Sequence, residues 1–195
     1  MTTVASGEPS VADLVVRARR GDASAFDPLV RRHLRAAYAV ALAVLGRPSD
    51  AEDVAQEAFV KAYRALGSFR GDSAFYTWLY RIAVNTARNS LASRQRRPLD
   101  YEAGLSESEQ NNVEARLKHD DTPEATVLSE EIRQTVNSAI EQLPEDLRTA
   151  IVLREIEGLS YEEIATAMDC PVGTVRSRIF RAREAIDRAL KPLLD

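Results

Sequence analysis

The sequence predicts an all-α protein of two small helical domains joined by a flexible acidic linker. Glycine is scarce, at 8 of 195 residues, and apolar residues recur every three to four positions, which is the period of a helix. A polar stretch rich in Ser, Glu and Asn interrupts this period, and its few apolar residues cannot offset the entropy of ordering it. We therefore expect domains at residues 10–97 and 125–193, with the linker at 98–124.

Composition excludes several classes of protein. Hydrophobic residues make up 45% and charged residues 29% of the chain, as in ordinary globular domains. No apolar run approaches the roughly 18 residues of a membrane span, and the first ten residues lack the features of a signal peptide. Cys170 is the single cysteine, so the sequence predicts no disulfide and no cysteine cluster for zinc. The sequence also has no other metal-ligand cluster and no phosphate-binding glycine loop, so we expect no metal site and no cofactor. We expect a cytoplasmic protein that neither inserts into a membrane nor acts on a small-molecule substrate.

Charge is unevenly distributed along the chain, although the net charge is only −4. Residues 61–97 hold eight Lys and Arg against one acid, and residues 172–191 hold six against two. Between them, residues 99–131 hold ten acids against two bases. Charges farther apart than a Debye length of about 8 Å hardly interact, so local patches outweigh the total. The two basic blocks therefore keep nucleic acid among the expected ligands.

In the first domain, Ser49 and Glu52 have the spacing of a capping box, which predicts a helix from Asp50 to Leu66 that Gly67 ends. Its apolar residues are expected to face the core; they are Val54, Ala58, Phe59, Tyr63 and Leu66. Acids are frequent in its first turns. Acidic side chains there interact favourably with the positive end of the helix dipole, even when they bind no partner protein. The acids of this helix can therefore equally have a structural role or a binding role.

A second long helix is predicted from Ala74 to Arg96, after the loop formed by residues 67–73. Its core side is expected to carry Phe75, Leu79 and Ile82. Another face, with spacings of three and four, carries Trp78, Arg81, Asn85, Arg88 and Asn89. A ring that stacks, amides that pair with base edges and arginines that hold phosphates suit unstacked bases. The alternative is a half-buried tryptophan beside ordinary polar surface.

The second domain contains the pattern of a helix-turn-helix. A helix is expected from Pro144 to Glu157, ended by Gly158. Ser160 and Glu163 then form a capping box before a short helix, Tyr161–Ala167, and residues 168–170 form the turn. Pro171 is expected to open the last helix, with a buried stripe and an opposite basic face.

The basic face of this last helix suits the major groove of DNA. Arg176, Ser177 and Arg181 are expected on the groove side, where a guanidinium matches the O6 and N7 of guanine. Arg178 and Arg183 are expected to contact phosphates. The alternative is an amphipathic helix whose arginines are only solvated. Cys170 is expected to be a small residue that fills the turn.

Two runs of sequence resemble one family closely. They are DVAQEAFVKAYRALGSFRGDSAFYTWLYRIAVNTARN, from Asp53 to Asn89, and LPEDLRTAIVLREIEGLSYEEIATAMDCPVGTVRSRIFRAREAID, from Leu143 to Asp187. On these runs the chain resembles bacterial RNA polymerase sigma factors of the sigma-70 family, in the extracytoplasmic-function (ECF) group, and is most similar to the sigma-E/AlgU type. The resemblance implies a sigma-2 domain, a sigma-4 domain and promoter-specific transcription initiation, with no enzymatic activity.

The resemblance also implies roles for individual residues. The helix that follows Asp50 corresponds to the segment that binds core polymerase, through Asp53, Gln56, Glu57, Phe59, Lys61 and Leu66. The loop and helix that follow correspond to those that capture, read and melt the −10 element, through Phe69, Arg70, Trp78, Tyr80, Asn85, Arg88 and Asn89. The last helix corresponds to the −35 reader, through Thr174, Arg176, Ser177, Arg178, Phe180 and Arg181. The implied promoter has a GAAC-containing −35 element and a TC-containing −10 element.

The partners implied by the resemblance are the beta and beta-prime subunits of core RNA polymerase, promoter DNA and a membrane-anchored anti-sigma factor active in envelope stress. Two other functions fit parts of the sequence. A self-sufficient helix-turn-helix repressor would dimerise on palindromic half-sites, but the sequence offers no dimerisation segment after Leu190 and the Trp/Asn stripe would be unexplained. An enzyme acting on nucleic acid would need a metal cluster, a nucleophile–base pair or a phosphate-binding loop, and the sequence has none of these patterns.

Overall fold

The computed structural model describes residues 9–95 and 123–194, which form eight α-helices and no β-strand. The predicted all-α fold with two domains is confirmed. Residues 98–122 of the predicted linker lie outside the described residues. The second helical region begins at Pro123, two residues before the predicted start of the second domain.

The first domain contains four α-helices, which are α1 (Val11–Arg19), α2 (Phe26–Leu45), α3 (Pro48–Ala65) and α4 (Phe75–Gln95). Short 3-10 turns at Ala23–Ala25 and Leu66–Ser68 precede α2 and follow α3. Helices α2, α3 and α4 pack on one another around fully buried side chains, including Leu29, Val40, Leu79 and Val84. Burial of each such side chain contributes about 1.5–3 kcal/mol, so this core fixes the positions of α3 and α4.

Helix α3 begins differently from the prediction. It starts at Pro48 with Arg47 as an N-cap residue that makes no side-chain cap, so Ser49 lies inside the first turn and the predicted capping box is wrong. Proline suits the first helical position because the N–H that it lacks would have no partner there. Asp50 instead pairs with Arg47 at 3.0 Å and with Arg94, which ties the start of α3 to the end of α4.

The second domain contains α5 (Pro123–Glu141), α6 (Glu145–Ile151), a π-helical turn (Val152–Ile156), α7 (Tyr161–Met168) and α8 (Val172–Leu194). The predicted continuous helix from Pro144 to Glu157 is therefore wrong in two respects. Pro144 is the N-cap residue outside α6. After Ile151 the backbone widens, and the Glu157 N–H donates to the Val152 carbonyl at 3.1 Å. Such turns shift the register of the following side chains and are frequent at functional sites.

Helices α7 and α8 form the predicted helix-turn-helix. The Ser160 hydroxyl accepts from the Glu163 N–H at 3.2 Å and the Glu163 carboxylate accepts from the Ser160 N–H at 2.9 Å, which confirms the capping box. Asp169 ends α7 in the left-handed conformation, with φ of 52°, which Asp tolerates better than most residues. Buried Val175 and Ile179 belong to the core that holds α8.

The two domains pack against each other. Helix α7 lies on α4, and α6 lies on α2 near its C-terminal end. The buried apolar residues of both domains form one contiguous cluster. Helix α4 thus contacts both the core of its own domain and the second domain, which decides the surroundings of its predicted binding residues.

Candidate nucleic-acid interface

An aromatic cluster lies where the loop after α3 meets α4. The ring centroids of Phe69 and Trp78 are 5.0 Å apart, and those of Phe75 and Trp78 are 5.9 Å apart. Both phenylalanines are buried, whereas Trp78 is half-buried. His33 packs on Phe75, and burial lowers the pKa of its imidazole. The phenylalanines therefore hold the indole in a fixed position at the edge of the core, where an unpaired base can stack on it.

The loop residues predicted to bind the −10 strand differ in their exposure. Phe69 is only 8% exposed, so it supports Trp78 from the core and does not face solvent as a capture residue would. Arg70 is exposed and pairs with Asp72 at 2.8 Å. Both side chains of that pair are well solvated, and such pairs contribute little, so Arg70 can exchange this partner for a phosphate.

Along α4, Arg81, Asn85 and Asn89 are exposed and follow Trp78 at helical spacing. The two amides can each donate to and accept from base edges. The stripe therefore combines a stacking ring, two amides and a cation on one accessible face.

Two other residues predicted to bind the −10 element, Tyr80 and Arg88, contact the second domain instead. Tyr80 is 4% exposed and its hydroxyl donates to Glu157 at 3.2 Å. Its burial, together with that carboxylate, raises its pKa far above the ordinary value. Arg88 donates to Glu145 at 3.1 Å and to Asp146 at 2.8 Å. In this arrangement neither side chain is available to DNA, because the fold uses both to join the domains.

Helix α3 has one exposed polar face, formed by Asp53, Gln56 and Glu57. Lys61 pairs with Glu57 at 2.8 Å beside this face. The other two residues predicted to bind polymerase, Phe59 and Leu66, are 5% and 2% exposed. Phe59 lies on the opposite side of α3 and Leu66 lies in the 3-10 turn that follows it, so in this structure both pack in the core and do not face a partner.

Two apolar residues on the exposed face of α3 were not predicted. Val60 is 48% exposed and Tyr63 is 46% exposed, one and two turns after Gln56. Tyr63 was expected in the core; its ring packs edge-on against Phe26 at 5.0 Å, but nearly half of it faces solvent. The helical spacing of Val60 and Tyr63 from Gln56 could have placed both residues on this exposed face. Their apolar side chains favoured a position in the core instead.

In α8, the side chains of Arg176, Ser177 and Arg181 are exposed, and Phe180 is 69% exposed. They lie on the side away from buried Val175. Thr174 is half-buried, and its carbonyl accepts from the Ser177 hydroxyl at 2.9 Å. The helix thus presents two arginines and an aromatic ring at its N-terminal half, the part that enters the major groove in helix-turn-helix proteins.

Arg178 and Arg183 of the same helix have partners within the second domain. Arg178 donates to Asp146 at 2.6 Å and lies 3.3 Å from the sulfur of Cys170, which fills the turn as expected. Arg183 pairs with Glu155 at 2.6 Å. Both arginines were expected to contact phosphates, and each would have to leave a carboxylate to do so.

A groove of about 270 Å³ lies between α5, the π-helical turn and α8, and sequence reasoning missed it. Its apolar lining consists of Val136, Ile140, Ile151, Val152, Ile156 and Ile186. Ile156 is 63% exposed at this groove. A regular helix was expected there, and the π-helical turn changes the direction of Ile156 relative to that expectation.

Across residues 9–95 and 123–194, no group of three or more His, Cys, Asp or Glu side chains is arranged to hold a metal ion. In the same ranges, no helix is long and apolar enough to cross a membrane. The candidate functional features among the described residues are the exposed faces of α3, α4 and α8.

Comparison with known proteins identifies the family. Sigma-70 region 2 matches residues 29–97, and Sigma-70 region 4 matches residues 133–186. The RNA polymerase sigma-H factor of Pseudomonas aeruginosa is 59% identical over 181 residues, which cover 93% of this chain and 94% of that protein. The chain belongs to the sigma-70 family. The ECF RNA polymerase sigma-E factor of Escherichia coli K12 is 58% identical over 182 residues, with the same coverage, so this sigma factor is of the ECF sigma-E type.

Two solved structures share the fold of this sigma factor. The sigma factor RpoE of Bartonella quintana, in complex with the anti-sigma factor NepR, aligns with a TM-score of 0.62 and 25% identity, over 85% of this chain and 96% of that one. CnrH, in complex with the cytosolic domain of CnrY, aligns with a TM-score of 0.60 and 30% identity, over 92% and 96%. Region 2 of this sigma factor thus comprises α2, α3 and α4, and region 4 lies within α5 to α8.

Proposed function

We propose that this protein is an ECF sigma factor that binds core RNA polymerase and directs it to promoters with a GAAC-containing −35 element and a TC-containing −10 element. The observation that carries the proposal is the presence of two different exposed faces in one chain, each with side chains that suit nucleic acid. The first is the exposed stripe of α4 beside Trp78, and the second is the exposed face of α8. We propose residues 10–97 and 125–193 as the two functional domains.

The α4 stripe suits a single strand. Removing a base from its stack costs a few kcal/mol, and stacking on an aromatic side chain returns about 1–3 kcal/mol per base. Trp78, held by Phe69 and Phe75, supplies such a ring in a fixed position. Asn85 and Asn89 then select among bases, because amides pair with base edges that an open strand exposes.

The α8 face suits duplex DNA. Arg176 and Arg181 are exposed on the side away from the core, with Phe180 between them. A guanidinium that pairs with both acceptors of guanine discriminates against other bases by about 1–3 kcal/mol. Ser177 and Thr174, at the N-terminal end, contribute hydroxyls near the same groove.

The exposed face of α3 is the proposed polymerase contact. It combines the charged and amide groups of Asp53, Gln56 and Glu57 with the apolar surface of Val60 and Tyr63. Partly apolar faces with a polar rim are typical of protein–protein interfaces. We propose that the beta-prime subunit binds here and that the beta subunit also contributes to the complex.

Regulation by an anti-sigma factor is the further part of the proposal. The Bartonella quintana relative was solved in complex with the anti-sigma factor NepR. We propose that this protein likewise has an anti-sigma partner, that the partner is anchored in the membrane, and that the sigma factor itself acts in the cytoplasm during envelope stress. A partner of this kind would keep the protein from polymerase until the stress releases it.

Transcription in vitro tests the proposal. Purified core polymerase is mixed with the full chain and with a linear template that carries both elements, or with templates in which either element is scrambled. We expect a transcript of defined length from the intact template alone. The absence of this transcript, combined with a footprint by the free protein on a palindromic site, would favour the self-sufficient helix-turn-helix regulator.

A further inference from the structure

We propose that an arginine surface on α1 and α2 holds the phosphates of a single DNA strand where the strand passes beyond the aromatic cluster of Trp78. The surface consists of Arg19 and Arg20, at the end of α1, and of Arg31 and Arg35, on the outer side of α2. We call it the α1–α2 arginine surface. The identity of its ligand rests on the proposed function, because the strand is the one proposed to stack on Trp78.

All four arginines are exposed, and none forms an ion pair with another residue that the structure describes. Residues 16–35 hold six arginines against two aspartates. One of these aspartates, Asp22, is already paired with Arg17 at 2.8 Å, and the other, Asp27, lies in the first turn of α2. Clustered cations attract a polyanion. A phosphate can therefore bind to this surface without breaking an ion pair of the fold.

Helix α1 lies beside the loop that leads to Trp78. It packs on α2 and on the 3-10 turn Leu66–Ser68, which opens this loop. Arg70 of the loop is exposed and pairs with Asp72, but both side chains are well solvated, so the pair contributes little. Arg70 is therefore a further cation available to a phosphate, in the segment that connects the turn beside α1 to the start of α4.

Helix α2 sets the distance from the rings to the arginines. His33 packs on Phe75 with ring centroids 5.6 Å apart, and Phe75 in turn packs on Trp78. Arg31 and Arg35 are two positions before and after His33, which places them on the other side of the helix. A strand must therefore cross one helix diameter, about 10–12 Å, to reach them. At a rise of about 3.4 Å per nucleotide, this distance corresponds to about three or four nucleotides beyond the stacked base.

The chemistry of the surface suits the backbone of a strand and not its bases. The exposed apolar side chains near the arginines are Val16 and Leu34, which are 45% and 43% exposed. Both are aliphatic, so they supply neither a ring for stacking nor a polar group for a base edge. Guanidinium groups bind phosphate oxygens through paired N–H donors, and phosphate contacts carry no sequence information directly. We therefore expect this surface to hold the strand whatever its sequence.

Binding of single strands by core polymerase reconstituted with the full chain, at several salt concentrations, tests the surface. The probes are a fluorescent strand with the −10 element alone, and the same strand with about six thymidines added at its 3′ end or at its 5′ end, which is enough to pass the expected three or four nucleotides. The test variant combines Arg31→Ala with Arg35→Ala. The control with the same change of charge combines Arg188→Ala with Lys191→Ala, at two exposed positions of α8 in the second domain. Core polymerase alone measures the background.

Each phosphate contact with a single strand contributes about 0.7 to the slope of log affinity against log salt concentration, which is about fivefold in affinity at 0.1 M salt. We expect one of the two extensions, and not both, to raise the affinity of the parent and of the control. Arg31→Ala with Arg35→Ala should bind that extended strand about 25-fold more weakly, with a slope reduced by about 1.4, and should bind the unextended strand as the parent does. Arg31→Lys with Arg35→Lys should retain the gain, because lysine also binds phosphate.

Several results would overturn the α1–α2 arginine surface as a site for the strand. They are no gain from either extension, an equal gain from both, a gain that survives the two alanines, and a gain that the two lysines do not retain. Weaker binding of core polymerase by the alanine variant, with unchanged DNA binding at saturating polymerase, would assign the surface to polymerase instead.

Failure of the proposed function has a different signature. The parent polymerase would then bind the TC-containing strand no better than a scrambled strand. The effects of the extension and of the arginine variants are measured on either strand, so they test the surface independently of that preference.

Discussion

Replacing Arg176 by alanine tests how α8 reads DNA. Arg176 is exposed on the side of the helix away from buried Val175, so its truncation leaves the packing of the domain intact. If its guanidinium pairs with a guanine of the −35 element, the loss is about 1–3 kcal/mol, or about 5- to 150-fold in affinity for the intact element. The matched control is Arg188→Ala, because Arg188 is 75% exposed on the same helix but about 18 Å farther along its axis.

The assay is binding of the reconstituted polymerase to promoters with intact or substituted −35 elements, repeated at several salt concentrations. We expect Arg176→Ala to lose affinity for the intact element and to become indifferent to the substitution that removes its base contact. Arg188→Ala should keep the preference of the parent. The opposite result would be that Arg176→Ala loses the same affinity on every −35 sequence, with the slope of log affinity against log salt concentration reduced by about one. That result would show that Arg176 only contacts a phosphate and would refute the base-reading role.

Three further predictions concern the cap, the α3 face and pH. Ser160→Ala removes the N-cap of α7 and should destabilise the second domain by about 1 kcal/mol, measured by thermal unfolding; an unchanged midpoint would contradict the importance of this cap. Val60→Asp should weaken binding to core polymerase at least about tenfold, whereas Val16→Asp, with the similar exposure of 45% on α1, should not. The Tyr76 hydroxyl lowers the pKa of the Glu163 carboxyl below its ordinary value of 4.5, so this contact stabilises the protein above that pH and the effect disappears as the pH falls through the lowered value. Tyr76→Phe should raise that pKa in an NMR titration and lower the stability at pH 7, and an unmoved pKa would exclude the contact in solution.

Much of the fold was predictable because its determinants are local. The Ser160 and Glu163 pair, three residues apart, fixes the start of α7, and Gly158 ends the preceding segment with φ of 70°. The helical spacing of Phe75 and Leu79 identified the core side of α4. For the same reason, the exposed residues Arg176 and Arg181 of the −35 reader could be assigned to a face from periodicity alone.

The surroundings of the remaining site residues depend on contacts with residues that are distant in the sequence. Periodicity assigns Arg88 to a face of α4, but its carboxylate partners lie 57 and 58 residues away in the second domain. Tyr80 is buried by the same contact. The π-helical turn that follows Ile151 has no pattern of Gly or Pro to indicate it, so a regular helix was the natural prediction. Tyr63 was assigned to the core because it is aromatic, although the ring covers Phe26 from outside.

The central claim is that one chain reads two separate promoter elements at once. Inserting about five base pairs between the elements rotates one of them by half a helical turn and leaves both sequences intact. The measurement is transcription in vitro by core polymerase and this protein from the parent and the insertion template. We predict that the insertion abolishes the transcript to the level obtained when the −35 element is scrambled. An undiminished transcript from the insertion template would contradict simultaneous reading by the two domains.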